Sequence, residues 1–169
     1  MKRLILMRHA KAERHSTQGT DETRALSRRG IEDAHRVGEF LQKQGYQPSL
    51  IIHSTASRTK ETAWAICEDL KPAPMAEGLD ALYLATETEV LNVIKRAEPT
   101  VDILMIVGHN PGIGDLSQTM MNSHEDSLVM DHLLAFPTAA FAVLDLQIDH
   151  WAEAKSGHLA GFQIADDLP

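Results

Sequence analysis

Continuous apolar runs alternate along this chain with segments of helical spacing. Leu4-Ile5-Leu6-Met7 has no polar break, so residues 3–7 read as a buried strand. Residues 10–25 are polar and lack periodicity, which predicts a loop. Ile31, Ala34, Val37 and Leu41 recur at helical spacing behind Ser27, a good N-cap, and ahead of Gly45, a good C-terminal stop. Residues 50–53 read as a short strand, and 57–70 as a helix with Ala63, Ile66, Cys67 and Leu70 inward. Thr86 and Glu89 form a capping-box pattern for a helix to about Ala97.

Residues 101–107 are apolar apart from Asp102, as in a central parallel strand. A helix is predicted over 112–121, with the Met120-Met121 pair as core packing, and strands over 139–148 and 158–165. Strands alternating with helices imply an α/β fold with a mostly parallel sheet flanked by helices. The last two strands lack a helix-sized connection, so an antiparallel edge strand is expected. At 169 residues, without an internal repeat or linker, the chain reads as one domain, 1–169.

Three of these strands end on chemistry. The first runs into Arg8-His9-Ala10-Lys11, the second into Ser54 with Ser57 and Arg58 just beyond, and the third into Gly108-His109-Asn110-Pro111-Gly112. In open α/β sheets, ligands bind beyond the carboxyl ends of the strands. Two arginines and two histidines converging there suit a phosphoryl group, with one histidine as nucleophile. Arg8 and Arg58 fit a guanidinium clamp on the non-bridging oxygens, and His109 could donate a hydrogen bond to one of them. The simpler role for Arg58 is pairing with Glu61; a clamp is favoured because Arg58 sits at a turn above the sheet. Backbone N–H groups at the start of the helix after Ser54 could add to the anion site. Ser57 and Asn110 either bond phosphate or cap the turns that follow. Lys11, Arg14 and His15 either reach substrate or belong to a solvated loop.

Composition narrows the classes. Hydrophobic residues are 43% and charged residues 24%, typical of a globular domain. Net charge is −8, but residues 1–60 carry 12 Lys/Arg against 6 Asp/Glu, and residues 61–169 carry 4 against 18. An acidic chain with a basic N-terminal third is not a general nucleic-acid binder, though it can hold a local positive pocket. No stretch approaches the roughly 18 apolar residues of a membrane span. The four-residue apolar run after Met1-Lys2-Arg3 is too short for a signal peptide, so a cytoplasmic location is expected. Cys67, the single cysteine, reads as a small buried residue. Histidines 35, 53, 124, 132, 150 and 158 show no metal spacing. The glycines from 108 to 114 lack the Lys-Ser/Thr of a nucleotide loop, and no Gly-x-Ser-x-Gly elbow is present.

Taken in order, these segments resemble the histidine phosphatase superfamily, the phosphoglycerate mutase-like fold. The hallmark Arg-His-Gly is here Arg8-His9-Ala10. Leu26-Ser27-Arg28-Arg29-Gly30 is similar to the family's Leu-Ser/Thr-x-x-Gly, and Ser54-x-x-Ser57-Arg58-x-x-x-Thr62-Ala63 to its Ser-x-x-x-Arg-x-x-x-Thr-Ala segment. Val107-Gly108-His109-Asn110-Pro111-Gly112 resembles the second-histidine motif, and Pro137-Thr138 before an apolar strand matches the short SixA-type phosphohistidine phosphatases. The resemblance implies a three-layer fold, His9 as the residue that becomes phosphorylated, and Arg8, Arg58 and His109 as the phosphate pocket. It implies no metal and no organic cofactor. The substrate class would be phosphohistidine on a signalling or phosphotransfer protein.

Many superfamily members place a carboxylic acid in the segment corresponding to Glu77–Tyr83, and here alignment puts Ala81 at that place, with Glu77 and Asp80 nearby. An imidazole leaves phosphorus with little protonation, whereas a sugar alkoxide needs a proton. The missing acid therefore favours phosphohistidine. Two rivals stay open: a small phosphate ester as substrate, with Glu77 or Asp80 as acid, and a non-catalytic module that binds phosphorylated partners.

Overall fold

The computed structural model describes residues 1–121 and 127–169. Six strands form one sheet in the order β3-β2-β4-β1-β5-β6. They are β1 (Lys2–Arg8), β2 (Leu50–Ser54), β3 (Met75–Leu79), β4 (Ile103–Gly108), β5 (Phe141–Leu146) and β6 (His158–Gln163). Strands β1 to β4 pair in parallel. β5 runs antiparallel to β1, and β6 antiparallel to β5 at the sheet edge. Among the described residues, the five helices are α1 (Arg28–Gln44), α2 (Ser57–Asp69), α3 (Glu87–Ile94), α4 (Gly112–Met120) and α5 (Ser127–Ala135).

Buried strands alternate their side chains between two cores, which is why their sequences lack polar breaks. Leu4, Leu6, Leu104 and Ile106 pack with Val90, Ile94, Ile113 and Leu116 from α3 and α4. Ile5, Met7, Met105 and Val107 pack on the opposite face with Ala34, Val37, Ala63 and Ile66 from α1 and α2. The caps read from the sequence are in place, although α3 stops at Ile94, short of Ala97. The Ser27 hydroxyl accepts from Gly30 N–H, Gly45 takes the left-handed conformation at φ 71°, and Thr86 with Glu89 closes a capping box.

Two elements have no counterpart in the sequence reading. β3 is an exposed edge strand, Met-Ala-Glu-Gly-Leu, with neither alternation nor β-branched residues. α5 lies in a stretch that the apolar spacing left unassigned. His124 lies outside the described residues. Among the described residues no helix is long and apolar enough to cross a membrane, and no His, Cys, Asp and Glu cluster could hold a metal.

Two glycines are dictated by close approach. A Cβ at Gly30 would lie 2.0 Å from the Lys11 carbonyl oxygen, and one at Gly112 would lie 1.9 Å from that of Ala85. Gly30 lets the start of α1 seat on the chain just after His9. There the Lys11 carbonyl accepts from both the Ser27 N–H and its hydroxyl. Gly112 lets the start of α4 seat against the Ala85 carbonyl, three residues after His109.

Candidate active site

Strand register assembles the site. β1, β4 and β2 are neighbours, and Arg8 pairs with Gly108, so His9 and His109 emerge side by side one residue further on. Their ring centroids are 5.3 Å apart. His53 pairs with Val107, which brings Ser54 alongside the end of β4. The Ser54 hydroxyl then meets His109 Nε2 at 2.8 Å. Arg58, on the first turn of α2, swings back over the same edge, with Nη2 3.4 Å from His109 Nδ1. The four residues predicted from the strand ends are thus one cluster. His9, Arg58 and His109 are buried, and Arg8 is half-buried.

The imidazole of His9 is held in one tautomer. Its Nδ1–H donates to the Ala10 carbonyl at 2.7 Å, which leaves the Nε2 lone pair unprotonated. The Ala10 peptide is fixed in turn, because its N–H donates to Thr62 Oγ1 and that hydroxyl donates to the Arg58 carbonyl. This accounts for Thr62 in the segment that follows Arg58. Burial first, then the positive groups around it, push His9 down to about 3, against the raising effect of the Ala10 bond. Burial and the Arg58 charge bring His109 down to about 4. Both rings are therefore neutral at physiological pH, as a nitrogen nucleophile must be.

The sign of this linkage gives a prediction. The unfolded chain protonates these histidines near the ordinary 6.5, while the folded chain resists protonation to about 3 and about 4. Between those limits the unfolded state binds more protons, so stability falls as pH drops from about 6.5 toward 4. Thermal melts should show this decline, and His9→Ala should flatten it. Free-enzyme kcat/KM should carry no acid limb from His9 above about pH 4. Parallel wild-type and variant melts across that range would contradict the assignment.

The two arginines are anchored by main-chain oxygens. Arg8 Nη1 donates to the Phe136 carbonyl at 3.1 Å, and Asn110 Nδ2 donates to the same oxygen at 3.0 Å. Phe136 has φ 35°, a left-handed backbone that costs a non-glycine residue about 1–3 kcal/mol. Arg58 Nη1 donates to the Asp21 carbonyl at 2.8 Å and Nη2 to Asp21 Oδ2 at 3.0 Å. Among the described residues, the buried Nε–H of each arginine has no partner, nor has Asn110 Oδ1.

Several expectations change here. Arg58 does not pair with Glu61, whose carboxylate accepts instead from Leu26 N–H. The N–H groups at the start of α2 are partly spent, Ala56 on the Ser54 hydroxyl and Ser57 on the Glu22 carbonyl. Asn110 braces the Phe136 carbonyl, and Lys11 is exposed beside a cleft with Arg29 and Asp33. Glu77 faces a groove with Leu50, Val93 and Arg96, and neither it nor Asp80 bonds a site residue. From that same segment it is Tyr83 that arrives, its ring edge-on to His109 at 5.6 Å. Tyr83 and Asp21 escaped the sequence reading. Asp21 lies in an aperiodic polar loop, and Tyr83 carries no titratable carboxyl to attract notice.

Residues 4–81 match the histidine phosphatase superfamily, branch 1. The uncharacterized protein Rv1276c of Mycobacterium tuberculosis (strain ATCC 25618 / H37Rv) is 33% identical over 162 residues, covering 94% of this chain and 99% of its own. A chain from Nakamurella multipartitia assigned as phosphohistidine phosphatase SixA superposes with TM-score 0.81 at 25% identity, covering 96% of this chain and 95% of its own. One from Agrobacterium tumefaciens with the same assignment gives TM-score 0.79 at 29% identity, covering 96% and 97%. With Arg8, His9, Arg58 and His109 on adjacent strand ends of this fold, the chain belongs to the histidine phosphatase superfamily and is SixA-like.

Proposed function

We propose that this chain is a phosphatase that hydrolyses phosphohistidine on a protein partner through a phosphorylated His9, without a metal ion. The observation that carries the reading is the tautomer of His9. A neutral ring with its Nε2 lone pair free, locked by Ala10 on the other nitrogen and flanked by two guanidinium groups, is built to attack phosphorus. His9 Nε2 bonds to phosphorus as the bond to the substrate ring breaks; that bond's electron pair stays on the substrate nitrogen, and the ring, protonated on its other nitrogen, leaves as neutral imidazole. Arg8 and Arg58 stabilise the charge spread over the non-bridging oxygens. Water then attacks phosphorus, the bond to His9 breaks, and phosphate departs with neutral His9 restored. The SixA-like neighbours support the same substrate class.

The test is phosphate release from a phosphohistidine protein with a chelator present, together with chemical typing of any phosphoryl label on the enzyme. Release with an acid-labile, alkali-stable label on His9 is expected. Absence of release, or release that requires added metal, would overturn the reading.

A further inference from the structure

Asp21 is exposed in the loop between β1 and α1, yet it grips the most buried cation of the site. Its carbonyl and its carboxylate hold the two terminal nitrogens of Arg58, at 2.8 and 3.0 Å. Arg58 is 2% exposed, so this grip replaces much of the water the guanidinium has lost. The carboxylate is itself fixed from two further sides. Tyr83 hydroxyl donates to Oδ2 at 2.7 Å, and Arg24 Nε donates to Oδ1 at 2.9 Å. The loop that carries it is tied down by Ser57 N–H on the Glu22 carbonyl, Leu26 N–H on Glu61, and Arg24 Nη1 on the Glu13 carbonyl. The Tyr83 hydroxyl, then Arg58 and Arg24, hold the Asp21 carboxyl down to about 2, so it is ionised wherever the enzyme works.

Guanidinium groups carry five N–H donors in a rigid plane. Asp21 takes one on each terminal nitrogen, His109 Nδ1 faces another, and the buried Arg58 Nε–H has no partner among the described residues. We propose that Asp21 is a positioning residue for Arg58: from the β1–α1 loop, with Tyr83 and Arg24 as its braces, it fixes the guanidinium plane so that the unspent donors meet the phosphoryl group in its transition state. This inference rests on the reading that a phosphoryl group reacts at His9. Tyr83, from the segment after β3, thereby acts in the site through Asp21.

The experiment compares wild type, Asp21→Ala, Asp21→Asn and Tyr83→Phe for turnover and for binding of two oxyanions, tetrahedral phosphate and transition-state-like vanadate. Misplacing a clamp by a fraction of an ångström should cost Asp21→Ala about 10- to 100-fold in kcat with little change in KM. Vanadate binding should weaken by a similar factor while phosphate binding barely moves. Both Asp21 variants keep the main-chain grip on Nη1, but only Asp21→Asn keeps a side-chain acceptor for Nη2, so it should recover most of the loss. Tyr83→Phe should lose less than Asp21→Ala and add nothing to it in the double variant. Two outcomes would overturn the proposal. One is tighter phosphate and faster turnover in Asp21→Ala, which would make Asp21 a competitor for the site. The other is equal losses for phosphate and vanadate with no recovery in Asp21→Asn, which would make its role structural. Wild type that binds neither oxyanion and has no turnover would instead overturn the phosphatase reading itself.

Discussion

His9→Ala should lower turnover of a phosphohistidine protein by on the order of 10⁴-fold or more, the scale of losing a covalent nucleophile. The fold should persist. His9 lies beyond the last ladder position of β1, and its N–H bond to the Gly108 carbonyl is made by the backbone, which alanine keeps. Loss of the ring's packing against His109 costs on the order of 1–2 kcal/mol, which shifts the melting temperature of a chain this size by a few degrees. The substitution also removes a buried imidazole that resists protonation, so part of that loss should vanish in acid. Circular dichroism, melting temperature and single-turnover phosphate release on the same preparation give the result. A well-folded variant that keeps most of its activity would remove His9 from the nucleophile role.

The site's residues were legible because they follow the ends of buried strands. Uninterrupted apolar runs identify β1, β2 and β4, and the residues just past their ends are automatically at one sheet edge. Arg8, His9, Arg58 and His109 needed no further information. The one-residue register that sets His9 beside His109 was not legible, since strand order is a property of the whole sheet. What the sequence hid is the bracing around those residues. Phe136, Tyr83 and Asp21 act through hydrogen bonds that span 37 to 128 residues of chain, and such bonds leave no periodicity. The Phe136 carbonyl is the extreme case. A main-chain oxygen aimed by a left-handed backbone at a phenylalanine has no sequence signature at all.

Phosphohistidine should be turned over far faster than phosphoserine or sugar phosphates, by about the 10²–10⁴-fold that general acid catalysis supplies. Ala81 stands where the superfamily's acid is expected, and it borders the groove under α3 with Glu77. Asp21 is the carboxyl bonded into the site, and it is ionised, so it has no proton to give at neutral pH. Tyr83 spends its hydroxyl on Asp21, and that bond raises its pKa further, which makes it a poor donor. An alkoxide would therefore have to depart unprotonated, whereas an imidazole departs readily. Glu77→Gln and Asp80→Asn should each leave phosphohistidine turnover within about twofold of wild type, the range of a surface substitution. The measurement is kcat/KM for a phosphohistidine protein and a panel of phosphomonoesters, in wild type and both variants. If a phosphomonoester is the better substrate and one amide variant loses that activity, an acid reaches the leaving group after all, and the small-ester reading replaces this one.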